Sequence, residues 1–200
     1  MELNLLFLLA IAAVAQCTLI ELSCQHKRAF VDGHNSRRLL VSQGLPGQLA
    51  AAEMKMMMWD NELQTKASKW AVKHRPYHNP DKTVPSGKFT TGENLYWSYT
   101  TSRKFEFNPD DALTSWFSEH ANFTFGPLSK SDFEGSKNYD IGHYTQNSDT
   151  MPTLNIGQVK SFISYSGNIL GKPPYKTDGG ASGKLVCGVH DCSRLYGDAC

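Results

Sequence analysis

The chain has 200 residues, 40% hydrophobic, 11% aromatic and 20% charged, a composition that excludes a disordered polymer and suits one domain. Its 20 Lys and Arg against 19 Asp and Glu leave a formal net charge of +1. No block of like charge is present to hold a phosphate backbone or an anionic bilayer, so no nucleic-acid partner is expected.

The apolar run Leu5–Ala15 is too short to span a bilayer, so no transmembrane segment is expected. Ala13-Val14-Ala15 closes it with the small-residue pattern of a cleavage site. Residues 1–15 therefore read as a secretory signal peptide, with a buried N-terminal helix as the alternative, and the chain as secreted and extracellular. The five cysteines, Cys17, Cys24, Cys187, Cys192 and Cys200, survive that cut and gather at the two ends. An oxidising compartment favours disulfides, which would tie the ends together and leave the middle unstapled. Five is odd, so one thiol is left over. The C-x4-C-x7-C run at the end lacks the close pairs of a zinc finger.

Phe30, Val31, Leu39 and Leu40, with His34 between them, fall near a helical period from Cys24 to Leu40, and Gly44, Pro46 and Gly47 end it. Asp60 is a good N-cap for a second helix with a buried stripe of Leu63, Ala67, Trp70 and Ala71. Pro76, Pro80, Pro85 and Gly87 mark residues 75–90 as loop. Tyr96, Trp97 and Tyr99 read as a strand. Asn108 before Pro109-Asp110-Asp111 starts a third helix lined by Leu113, Trp116, Phe117 and His120. Asn122-Phe123-Thr124 is a glycosylation sequon and predicts a surface loop. Ser161–Tyr165 is strand-like, and turns dominate beyond Gly171. Helices mixed with short strands, without a βαβ rhythm, give an α+β class.

Patterns that would name an enzyme are missing: the sequence has no H-E-x-x-H, no G-x-S-x-G and no phosphate-cradling glycine loop. What narrows the reading is a series of local patterns in order. His34-Asn35-Ser36-Arg37-Arg38 precedes Met58-Trp59-Asp60-Asn61-Glu62-Leu63 and Ala67-Ser68-Lys69-Trp70-Ala71, with His78 following. Then come Gly92-Glu93-Asn94-Leu95, Trp116-Phe117-Ser118-Glu119, Gly142-His143-Tyr144-Thr145-Gln146, Tyr165-Ser166-Gly167-Asn168-Ile169 and Pro174-Tyr175. The series resembles the CAP family of cysteine-rich secretory, venom-allergen-like and pathogenesis-related proteins.

That resemblance implies a three-layer α-β-α sandwich over residues 16–175, with 176–200 as a short cysteine-containing tail. It implies a cleft tetrad of His78, Glu93, Glu119 and His143, in which the two imidazoles hold one weakly bound divalent cation, zinc or magnesium. It assigns His34, Asn35 and Arg37 to packing and hydrogen-bonding support. The function it implies is binding of an extracellular partner. A lipid or sterol carrier using Phe123, Phe125, Phe133 and Tyr139 is the alternative, and a secreted endopeptidase the second; no pattern picks out a catalytic serine. The sequence departs from the family after Gln146. A Trp and a Gly-Cys-Gly strand expected there are absent, which predicts a shortened sheet with a strand lost.

Overall fold

The computed structural model describes residues 20–98, 106–133, 140–148, 155–157, 161–165, 168–188 and 192–200. The N-terminal apolar run, Cys17, Tyr99 and Tyr139 lie outside them.

The first helix, α1, spans Cys24–Gln43. Ser23 caps it by accepting from His26 N–H at 3.2 Å, and Gly44, at φ 96°, ends it in a conformation that disfavours side chains. Its buried stripe is not the apolar one expected. Phe30, Val31 and His34 are buried, but Leu40 is 45% exposed, while Asn35, Arg38, Val41 and Ser42 take the inner positions. The 3.6-residue period carries the stripe from 31 through 34, 35 and 38 to 41 and 42, so Leu39 and Leu40 fall off it. The polar members are tolerated because they are hydrogen-bonded. Asn35 donates to Met57 O at 3.0 Å and accepts from Met57 N–H at 2.6 Å, and Arg38 donates to Lys55 O and Asn147 O at 2.8 and 2.6 Å. Arg37 reaches Asp110 at 2.7 Å and Thr114 at 2.9 Å. Asn35 and Arg37 thus brace α1 by hydrogen bonds, and the buried His34 ring stacks on Trp116.

A two-residue strand, β1 (Met54–Lys55), leads to α2 (Asn61–Ala71), where Asp60 caps Leu63 N–H at 2.9 Å and Leu63, Ala67, Trp70 and Ala71 are buried as expected. The next strand, β2, is Thr91–Asn94, whereas Tyr96 and Trp97, the described part of the strand expected from the sequence, lie outside it. Strand formation follows the available partner: Thr91 to Asn94 pair antiparallel with Tyr165 to Phe162, while the Tyr96 ring meets Trp116 edge-on at 6.3 Å. The third helix, α3 (Pro109–Ser118), is capped by Asn108 and buries Ala112, Leu113 and Trp116; His120 falls beyond it, in a 3-10 turn at Glu119–Asn122. A fourth helix, α4 (Gly142–Ser148), follows. Then come β3 (Asn155–Gly157) and β4 (Ser161–Tyr165). The strand expected to be lost after Gln146 is therefore present but three residues long, paired antiparallel with β4. Backbone hydrogen bonds make a ladder without the missing cysteine.

The sheet order is β2-β4-β3, with α2 packed on β3 and β4. Helices α1, α3 and α4 contact one another, and α4 meets β2, giving three layers. Phe30, Val31, Met57, Trp59, Leu113 and Trp116 form one core between α1 and α3; Val41, Met54, Phe123, Leu128, Tyr144 and Tyr175 form a second.

The stretch beyond Gly171 is more ordered than its turn-rich composition predicts. Strand β5 (Leu185–Val186) pairs parallel with β1, and Leu195 and Tyr196 pack on the first core. Cys24 is bonded to Cys200, with Cα atoms 5.4 Å apart, which joins the ends as expected. Cys187 is bonded to Cys192 within the tail. Arg28 donates to Cys200 O at 3.0 Å and lies over the Tyr196 ring, whose hydroxyl donates to Asp32 at 2.9 Å.

Burial, with the guanidiniums of Arg38 and Arg37 nearby, holds the His34 imidazole well below its ordinary pKa. Folded His34 thus stays neutral where the unfolded chain takes up a proton, near pH 6.5. The stabilisation is complete above that pH and falls as pH drops below it, by up to about 1.4 kcal/mol per pH unit. Chemical denaturation from about pH 7.5 to about pH 5 should show a steeper loss of stability in the parent than in His34→Gln. Parallel slopes would mean that folded His34 is protonated.

Candidate functional site

The four tetrad residues form two histidine–glutamate pairs. In the first, His78 Nδ1 lies 2.9 Å from Glu93 Oε2, which also accepts from Asn79 N–H at 2.8 Å. The loop after α2 supplies the imidazole and β2 the carboxylate. Glu93 is nearly sealed, with 2% of its side chain exposed, whereas His78 is 55% exposed. In the second pair, His143 Nδ1 lies 2.5 Å from Glu119 Oε1, and Glu119 Oε2 accepts from the N–H groups of His143 and Tyr144 at 2.9 and 3.0 Å. Glu119, in the turn after α3, thus serves the first turn of α4, and the His143 ring stacks on Trp116 at 6.1 Å.

A carboxylate only accepts, so each pairing assigns the proton to Nδ1 and leaves the Nε2 lone pair for another partner. A carboxylate that accepts from Nδ1 in this way is what orients metal-binding histidines.

Strand alternation decides where the pairs sit. Thr91 and Glu93 share the face of β2 toward the loop after α2, where Thr91 Oγ1 donates to Lys82 O. Gly92 and Asn94 share the other face and meet α4: Asn94 Nδ2 donates to His143 O at 3.1 Å and Asn147 Oδ1 at 3.0 Å. The pairs therefore flank one edge strand. Among the described residues no group of three or more His, Cys, Asp and Glu is placed to hold a metal ion, so a bound cation would rely on two imidazoles and water.

Asn94, Asn79 N–H and Trp116 complete the site and were not singled out for it from the sequence. Only the Gly-Glu-Asn motif hinted at Asn94. Behind the second pair, Tyr144 donates to Gln48 Oε1 at 2.6 Å, and burial raises the pKa of its hydroxyl.

The aromatic segment is divided. Phe123 is buried, 7% exposed, with its ring 5.8 Å from that of Tyr144, and half-buried Phe125 lies 4.9 Å from Tyr175. Phe133 is exposed. Asn122 and Thr124 of the sequon are exposed.

The family model described as "CAP: Cysteine-rich secretory protein family" matches residues 31–151. The chain belongs to this family. It is 36% identical over 129 residues to cysteine-rich secretory protein 2 of Cavia porcellus, covering 64% of this chain and 46% of that one. It is 31% identical over 131 residues to venom allergen 5 of Vespula maculifrons, covering 62% and 55%. The chain thus spans about half the length of the relatives it matches. In structure it resembles NaASP2 with Zn2+, at TM-score 0.61 and 24% identity, covering 81% of this chain and 90% of that one. It also resembles Schistosoma mansoni venom allergen-like protein 4, at TM-score 0.58 and 22% identity, covering 78% and 97%. These likenesses establish the α+β CAP fold.

A Cβ at Gly92 would lie 2.4 Å from the Gln146 amide, which is buried in α4. Gly92→Ala is expected to cost about 1–3 kcal/mol by overpacking this junction. Adding Gln146→Ala should recover part of that loss in a double-mutant cycle measured by urea unfolding. Additive losses would show that the two residues do not meet.

Proposed function

We propose that this chain is a secreted, extracellular binding protein in which His78 and His143 present Nε2 to one weakly held divalent cation, zinc or magnesium, beside the edge of β2. Glu93 and Glu119 fix the two rings from behind. The observation that carries the reading is that each imidazole has its Nδ1 engaged by a carboxylate, which selects the tautomer a cation needs. The structure of NaASP2 with Zn2+ supports it by analogy. Beside an edge strand, ligands from its two faces can meet past the open side.

Two protein ligands with waters completing the shell make an open site of modest affinity. Titration calorimetry with zinc should show binding to the parent and none to a His78→Ala, His143→Ala double variant, while Glu93→Gln weakens it by about 10–100-fold. Equal binding by the double variant would place the cation elsewhere, and no binding by the parent would leave the pairs as hydrogen-bonded structure.

Secretion is supported by the two disulfides and by relatives named as secretory proteins. A partner in that compartment is an extracellular protein. The carrier reading loses support from Phe123 and Phe125, whose rings are already packed, and the endopeptidase reading has no sequence pattern that picks out a catalytic serine. On the same reading Asn122 carries an N-glycan. Material secreted from eukaryotic cells should fall in mass on enzymatic deglycosylation, and Asn122→Gln should abolish the fall. An unchanged mass in the parent would count against the modification.

A further inference from the structure

A groove of about 710 Å³ runs between α2 and the loop after it, and of the residues around the histidine–glutamate pairs it shares only Asn79, whose N–H donates to Glu93. One wall carries Lys66, Lys69 and Lys73 with Trp70; the other carries Asn79, Asp81, Thr83 and Pro85. A spacing of three residues puts Lys66 and Lys69 on one face of α2, and Lys73 follows in the turn that closes the helix, where its N–H donates to Trp70 O at 3.0 Å.

The acids in the lining are already engaged. Glu62 accepts from Ser86 N–H at 2.6 Å and from its hydroxyl at 2.8 Å, bonds that hold its carboxyl below the usual range. Asp81 accepts from the Thr83 hydroxyl at 2.7 Å and the Thr83 N–H at 2.9 Å, which bring its pKa down to about 2. The ammonium groups are less well matched. Lys66 has only 7% of its side chain exposed, and its three N–H donors meet one carboxylate, Asp81, at 3.3 Å. Among the described residues neither Lys69 nor Lys73 makes an ion pair, and Lys73 lies 4.7 Å over the Trp70 ring. A buried ammonium with donors to spare, continued outward by two unpaired ones, calls for oxyanions.

We propose that this groove binds a small organic molecule carrying two or more sulfate or phosphate groups. The volume suits such a ligand, and three ammonium groups along one wall offer separate anchoring points. Lys66 holds the inner anion and Lys69 and Lys73 the outer ones.

Calorimetry on the full chain with sucrose octasulfate and, separately, inorganic pyrophosphate tests this. Binding by either probe is expected, weakening from low to physiological salt, and the two probes distinguish a sulfate from a phosphate source. A Lys69→Gln, Lys73→Gln variant should bind about tenfold or more weakly, from the loss of two charge-assisted contacts. A Lys172→Gln, Lys184→Gln variant, of equal net charge, should match the parent. Equal loss in both variants would reduce the effect to net charge and overturn the proposal. So would undiminished binding by the groove variant, or no binding of either probe by the parent.

Discussion

The amide of Asn94, buried between β2 and α4, donates to the backbone of His143 and to the side chain of Asn147, and the bare Cα of Gly92 lets Gln146 come close on the same face. A four-residue edge strand and a seven-residue helix have little apolar area to bury against each other, so their mutual position depends on these polar contacts. Once they are set, alternation along β2 sends Glu93 to the other face and into reach of His78, while the start of α4 offers three groups to Glu119. Both histidine–glutamate pairs follow from one strand–helix contact.

Hydrogen bonding also replaces apolar packing along α1. Asn35 and Arg38 occupy positions on the inner stripe that a simpler core would give to leucine, and each ties the helix to a segment far away in sequence: Asn35 to Met57, Arg38 to Lys55 and Asn147. The same helix therefore braces β1 and the end of α4. His34 sits among these residues as a neutral ring stacked at 6.4 Å from Trp116, the residue that backs His143.

What the sequence showed and what it hid divide along physical lines. Caps and aromatic stripes were legible because their causes are local: Asp60 and Asn108 bond N–H groups two or three residues on, and Leu63, Ala67 and Trp70 repeat at the helical period. The tetrad was legible through its surrounding motifs, but its division into pairs depends on which face of β2 each side chain takes. Helix α4 has no apolar period and begins at glycine, so only its contacts with Glu119 and Asn94 reveal it. Strand β2 was misplaced because β-propensity favours Tyr96 and Trp97, whereas the partner strand is opposite Thr91–Asn94. Likewise β3 survives a sequence that lost its cysteine, since pairing with β4 uses only the backbone.

The bond between Cys24 and Cys200 encloses every described helix and strand in a single covalent loop. A protease that cuts an exposed segment inside that loop, such as the proline-rich stretch after α2, opens a ring and leaves the two arms attached. The cut molecule keeps its mass, apart from one added water, and its fragments part only on reduction. In a protease-rich fluid such a molecule tolerates one nick as a change of topology, with its sheet still held at both ends.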